Sequence, residues 1–360
     1  MSRPLSFIPG PSKISTAVYQ DIETALQEGV LELSHRSPEF LQIATESLEN
    51  LRSFLAIPDE YQILYTESAS SAWHSMVANT VVDASAHIIQ GAFSAKASLA
   101  SRKLGKKTIE YTCRIPEESL QLPASIDAGV ELVTICLNET SNGSMWSMNQ
   151  LSTLQALTPN ALIGVDITSC AGAVNIDYNA GDIWYFSVQK AFGLPAGLGV
   201  ILLSPRTLER VEKLTTEGKN MAGIGNWNYL IANQVEGRGP TLQTPNMLGI
   251  YLLAHQAKRL QASGGLPAIE VQTRKKAARI YKYIEEHPTL VPYITHPADR
   301  SVTVITATGT PEVITAAHQQ ARLQDTMLGQ GYGELKNQTL RIANFPSITE
   351  ADVESLLIWL

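Results

Sequence analysis

Six short apolar runs constrain the fold of this chain more than any other feature. They lie at 62–65, 87–90, 132–137, 162–167, 183–186 and 199–203, and stretches of helical patterning separate most of them. Apolar runs of this length that alternate with helices read as buried strands of parallel βαβ units. The expectation is an α/β fold whose large domain (15–255) holds a mainly parallel seven-stranded sheet. A turn-rich N-terminal segment (1–14) precedes it. Helical patterning covers 15–29 and 38–56, then 247–262 up to the break at Ser263-Gly264-Gly265, then 266–286. The remainder alternates short strands (301–306, 339–343) with helices (311–320, 349–360), which predicts a smaller C-terminal α+β domain (256–360).

The 360 residues are 44% hydrophobic and 17% charged, an ordinary globular balance. A net charge of −7 argues against nucleic acid or an anionic membrane as the main partner. Three cysteines (Cys113, Cys136, Cys170) without CxxC or zinc-type spacing suit free thiols in a reducing compartment. The first residues lack the apolar core of a signal peptide, and no run of about 18 apolar residues exists to span a membrane. A cytoplasmic protein is expected. Seven scattered histidines form no HxxxH or HExxH pair, so no metal is expected.

Lys190 stands between two of the apolar runs, 183–186 and 199–203. Desolvating an ammonium is costly, so a lysine placed there carries a lowered pKa and a usable nucleophilic amine. Asp166 ends the run before it, followed by Thr168 and Ser169. A strand-end carboxylate, nearby hydroxyls and a buried lysine are what pyridoxal phosphate requires: a pyridine-nitrogen partner, phosphate ligands and a Schiff-base amine.

Other candidates lie at strand ends or helix starts. Ser70 and Ser71 follow the run at 62–65 where a helix begins, which is an anion site as well as a plain serine cap. Phe93 follows the run at 87–90 and could stack on a ring or fill a core. Thr140 lies in a polar turn, 138–143, at the same edge of the predicted sheet. His35 and Arg36 precede a proline-started helix, and arginine suits a bidentate grip on an anion. Gln243 and Thr244 precede the helical pattern at 247. Arg341 sits inside the apolar strand 339–343, where an anionic partner is expected, whether a structural carboxylate or a substrate.

Together these motifs resemble the fold-type I pyridoxal phosphate enzymes of aminotransferase class V, and within it the phosphoserine aminotransferase branch. The resemblance runs from Phe7-Ile-Pro-Gly-Pro11 to Arg341. It rests on His-Arg-Ser-Pro-Glu-Phe at 35–40, Asn-Glu-Thr at 138–140, Asp166 with Ser169, Val-Gln-Lys at 188–190 and Gln-Thr-Pro-Asn at 243–246. It implies that Lys190 is the Schiff-base lysine and proton shuttle and that Asp166 pairs with the pyridinium. Phe93 would stack on the ring, where the family usually has tryptophan. Ser70, Ser71 and Gln189 would hold the cofactor phosphate, and Thr140 the ring oxygen, with Ser169 beside Asp166.

Gln243 and Thr244 would reach the phosphate from a second subunit, which implies a homodimer with shared sites. Arg341 would take the substrate α-carboxylate, and His35 with Arg36 its distal anion. The implied reaction moves an amino group between phosphoserine and 2-oxoglutarate in serine biosynthesis. The family's usual His-Arg pair is missing from the segment 331–341, which leaves Arg36, Lys336 and Arg238 as candidates for the substrate phosphate. Alternatives are an alanine– or serine–glyoxylate aminotransferase, a cysteine desulfurase, and a catalytically silent cofactor-binding scaffold.

Overall fold

The computed structural model describes residues 3–360. In chain order they form β1 (Leu5–Phe7), α1 (Thr16–Gln27), α2 (Pro38–Leu55), β2 (Gln62–Thr66), α3 (Ala69–Thr80), β3 (Ala84–Ile89), α4 (Ala92–Lys103), β4 (Lys107–Thr112) and β5 (Leu132–Cys136). Next come β6 (Asn138–Glu139), β7 (Ser144–Met145), α5 (Met148–Leu157), β8 (Leu162–Asp166), β9 (Ile183–Ser187), β10 (Gly199–Leu203), α6 (Pro205–Thr216), α7 (Trp227–Val235) and α8 (Met247–Ala262). The C-terminal part contains α9 (Gly265–Glu286), β11 (Val291–Pro292), β12 (Val304–Thr308), α10 (Pro311–Leu323), β13 (Thr326–Gln330), β14 (Thr339–Ala343) and α11 (Glu350–Trp359).

Seven strands make the large sheet, in the order β2-β10-β9-β8-β5-β3-β4. Only β10 runs against its neighbours; the other pairings are parallel. Successive residues of each strand face opposite layers. Trp184, Phe186, Val200 and Leu202 join one core with α2 and α8, while Ile183, Tyr185, Ile201 and Leu203 join a second with α3, α6 and α7. Both faces are therefore covered, which is why these strands read as continuous apolar runs and not as alternating ones. The β4 strand escaped the sequence reading because it is the edge strand, with Lys107 and Glu110 breaking its apolar pattern.

A second sheet has the order β1-β13-β14-β12-β11 and packs on α9, α10 and α11. From the N-terminal segment, β1 pairs in parallel with β13 and forms one edge of this second sheet. The expected division at 255/256 lies within the helix α8; α9 follows after Gly264, whose φ is +106°, and contributes Leu266 and Ile269 to the first core and Ile280 and Ile284 to that of the second sheet.

Parallel strands in one sheet deliver their carboxyl ends to one edge. Asp166 is the last residue of β8, Thr140 follows β5, Phe93 follows β3, Lys190 follows β9 and Ser68 follows β2. Sheet topology alone thus gathers residues separated by more than a hundred positions.

Candidate active site

Lys190 and Asp166 form the floor of this edge, 9% and 6% exposed. Burial pushes the Lys190 amine below its ordinary value, and the Asp166 charge opposes that shift. Burial pushes the Asp166 carboxyl up, opposed by hydrogen bonds from Thr168. One of these is Thr168 N–H donating to Asp166 Oδ1 at 2.9 Å. Lys190 Nζ donates to Thr140 Oγ1 at 2.7 Å. Gly10 closes in from the N-terminal segment with a φ of +143°; a Cβ there would sit 3.1 Å from Lys190 Cε.

Above this floor is a cavity of about 200 Å³, bounded by Ser68, Ser70, Trp73, Phe93, Gln189 and Lys190 among others. The α3 N-terminus opens into it. Ser68 caps that helix by accepting from Ser71 N–H at 3.1 Å, and Ala69 N–H donates to Ser187 Oγ at 2.6 Å. The cap is thus Ser68, one hydroxyl that the sequence reading missed because any of several adjacent serines satisfies the cap pattern. Ser70 borders the cavity; the Ser71 hydroxyl turns to Ser68 Oγ at 3.2 Å. Ser169 does not border it. Its hydroxyl exchanges hydrogen bonds with Asn138, so it ties the loop after β8 to the loop after β5.

Glu139 is a further residue that sequence reasoning left unassigned. It is fully buried and accepts from Phe93 N–H at 3.2 Å, Ser94 N–H at 3.0 Å and Ser141 Oγ at 2.6 Å. A carboxylate at a helix N-terminus satisfies open amides and the helix dipole together. It clamps α4, and hence Phe93, against the turn carrying Thr140. Gly91 permits the approach: a Cβ there would lie 2.5 Å from Glu139 Cγ.

Arg341 enters from β14. Its Nη1 donates to Thr140 O at 2.8 Å and its Nε to Gln330 O at 2.7 Å. Burial lowers it to about 10. Among the described residues no carboxylate lies within salt-bridge distance of it, so a structural ion pair is not its role. Tyr332, in the loop after β13, packs on Phe93 with the centroids 5.0 Å apart and the planes tilted by 34°.

The remaining candidates are elsewhere in this chain. His35 and Thr244 meet each other, Nδ1 to Oγ1 at 3.4 Å, but neither borders the cavity. Arg36, Gln243 and Thr244 are exposed. Arg238 pairs with Glu236 at 2.5 Å, and Lys336 is exposed.

The floor suits pyridoxal phosphate. A desolvated amine and a buried carboxylate face one cavity, the α3 N-terminus brings Ser70 and its positive dipole end to the same cavity for a phosphate, and Gln189 Oε1 is buried beside it with no hydrogen-bond partner among the described residues. Among the described residues no group of three or more metal-ligating side chains comes together, and no helix is long and apolar enough to cross a membrane.

Comparison with known proteins agrees with the geometry. A phosphoserine aminotransferase of Nocardioides sp. is 30% identical over 97% of this chain and 92% of its own length. One from Corynebacterium glutamicum is 28% identical over 98% and 94%. The crystal structure of a phosphoserine aminotransferase from Cytophaga hutchinsonii superposes with a TM-score of 0.94 at 30% identity, covering 99% of this chain and 98% of that one. The profile of the family described as aminotransferase class-V matches residues 7–320, and the chain belongs to that family.

Proposed function

We propose that this protein is a pyridoxal phosphate-dependent aminotransferase that exchanges an amino group between phosphoserine and 2-oxoglutarate, giving 3-phosphohydroxypyruvate and glutamate for serine biosynthesis. The observation that carries the reading is the pairing of desolvated Lys190 with buried Asp166 at one sheet edge, under Arg341. The names of the full-length relatives support the substrate.

When bound, the cofactor supplies an electron sink for the carbanion formed at the substrate α-carbon. Asp166 would hold the ring-nitrogen proton, Ser70 and Gln189 the phosphate, Phe93 the ring face and Thr140 the ring oxygen. The chain's own residues do the rest. Arg341 binds the α-carboxylate and so turns the α-proton toward Lys190. Lys190, with its amine held below its ordinary value by burial, takes that proton as general base and returns it as general acid. Trp73 and Phe93 wall the cavity against bulk water.

We further infer a homodimer. Arg36, Gln243 and Thr244 are exposed, half-buried His35 meets Thr244, and none of the four borders its own cavity, an arrangement that suits residues completing a second copy's site. Three free cysteines fit a cytoplasmic setting.

The test is a panel of amino donors, phosphoserine, serine and alanine, with 2-oxoglutarate and glyoxylate as acceptors. Phosphoserine with 2-oxoglutarate should give the highest kcat/KM. A preference for alanine or serine with glyoxylate would overturn the phosphoserine reading and leave aminotransfer intact.

A further inference from the structure

Phe93, at the cavity wall, packs against a second ring, Tyr332, which lines the adjoining pocket with Gly91 and Ser141, and the two planes are tilted by 34°. Phe93 and Tyr332 lie 5.0 Å apart between centroids. Three cations surround them. Lys190 Nζ is 4.8 Å from the Phe93 centroid, Arg341 Cζ is 5.5 Å from the Tyr332 centroid, and Lys96 Nζ is 4.8 Å from Tyr332 and 5.3 Å from Phe93. Lys96 is three residues beyond Phe93 on α4, so both side chains share one face of that helix. Its ammonium donates to the Tyr332 hydroxyl at 2.5 Å. Among the described residues, no carboxylate lies within salt-bridge distance of Lys96 or Arg341, in contrast to Arg238, which Glu236 neutralises.

A cluster of like charges around two neutral rings is repulsive until an anion joins it. A cation at each end of one ring pair suits a ligand with an anion at each end. The candidates weighed from the sequence do not occupy this place: among the described residues the cations recorded over the Phe93 and Tyr332 rings are Lys96, Lys190 and Arg341. The segment 331–341 lacks a His-Arg pair but supplies Tyr332, whose hydroxyl fixes the flexible lysine stem in one position.

We propose that Lys96, aided by the Tyr332 hydroxyl, is the specificity-determining residue that anchors the distal anion of the substrate, while Arg341 holds the α-carboxylate. This rests on the phosphoserine reading above. The ammonium and the phenol each donate to the phosphate, and the ring pair sets the separation between the two anionic ends. Glutamate, with a carboxylate in the distal place, uses the same two anchors.

The test compares Lys96→Met, Lys96→Arg and Tyr332→Phe with Arg36→Ala in the cofactor-loaded protein. Lys96→Met should lower kcat/KM for phosphoserine about 10- to 100-fold more than for serine, the scale of one charged hydrogen bond. Lys96→Arg should recover most of that discrimination, which a merely structural lysine would not predict. Calorimetric titration gives a second readout without turnover. Glutarate carries both anions and no amine, and butyrate carries one. Lys96→Met should weaken glutarate about tenfold more than butyrate. If wild-type protein turns over phosphoserine well but Lys96→Met shifts neither ratio while Arg36→Ala shifts both, the inference is wrong and the phosphoserine reading stands. If wild-type protein does not prefer phosphoserine, the reading fails and the inference with it.

Discussion

The floor of the site and its rim are built by different physics. The floor (Lys190, Asp166, Thr140, Arg341) is buried and hydrogen-bonded, and each residue hangs from a sheet strand or the loop directly after it. The rim (His35, Arg36, Gln243, Thr244) is largely exposed, and its one internal contact is a long His35–Thr244 bond. Chemistry on a buried floor needs groups held in place before substrate arrives, because desolvation and fixed geometry generate the reactivity. A rim that recognises a solvated anion can instead be completed by another surface. The difference predicts steep, donor-independent losses for floor variants and shallow, donor-dependent ones where a substrate-facing rim side chain is merely truncated.

The largest effect belongs to Lys190. Lys190→Met should cut turnover with every donor by about 10³-fold or more, the weight of a proton-transfer group. Borohydride reduction of the loaded wild type followed by peptide mapping should find the cofactor on Lys190; an adduct on another lysine would break the assignment of the floor. The same variant has a sign-reversed effect on stability. A depressed lysine pKa contributes stability that is present above its ordinary value of 10.5 and lost as pH falls through the folded value. Cofactor-free Lys190→Met should therefore melt higher than cofactor-free wild type at pH 7, with the gap closing as pH approaches 10.5.

Asp166→Asn comes next. It should still bind cofactor, seen by absorbance, yet lose about 10²- to 10³-fold in kcat, because an amide cannot support the ring's charge. Near-normal turnover would remove Asp166 from the floor. Arg341→Ala should cost every donor alike, about 10²-fold in kcat/KM, whereas Arg36→Ala, secondary to Lys96 at the distal anion, should cost about tenfold or less and only on donors that carry one. Equal losses across donors for both arginines would erase the distinction between floor and rim.

The smallest signal sharpens the comparison most. Lys190→Ala and Thr244→Asp subunits, each inactive alone, should regain some activity when mixed, because one site of the heterodimer then carries neither lesion. Proven heterodimers with no recovery would put Thr244 in the same site as its own Lys190.

Much of the floor was legible in the sequence. Lys190 and Asp166 stood out because a charged residue at the end of an apolar strand contradicts its surroundings unless it has a task. The six apolar runs were visible for a related reason: strands covered on both faces cannot hide polar residues. The parts that escaped lack such a contradiction. Glu139 sits in a polar turn where a glutamate is unremarkable, and only the approach of Gly91 shows that it caps a helix from another strand's loop. Lys96 looks like any helix-surface lysine until Tyr332 is found against it. Ser169 looked like a cavity residue by proximity to Asp166, but its hydroxyl is spent on Asn138.

Local pattern therefore determined the fold class, the strand-end placement of the reactive pair and the kind of cofactor, because burial and periodicity write themselves into consecutive residues. The tertiary structure alone decided which distant residues touch. It joined β1 to the C-terminal sheet, let α9 pack into two cores, and set Tyr332 and Lys96 beside Phe93 and Arg341. Those contacts depend on sheet order and loop course, and neither leaves a periodic trace in the chain, since strand register and crossing are fixed by packing between segments and not within them.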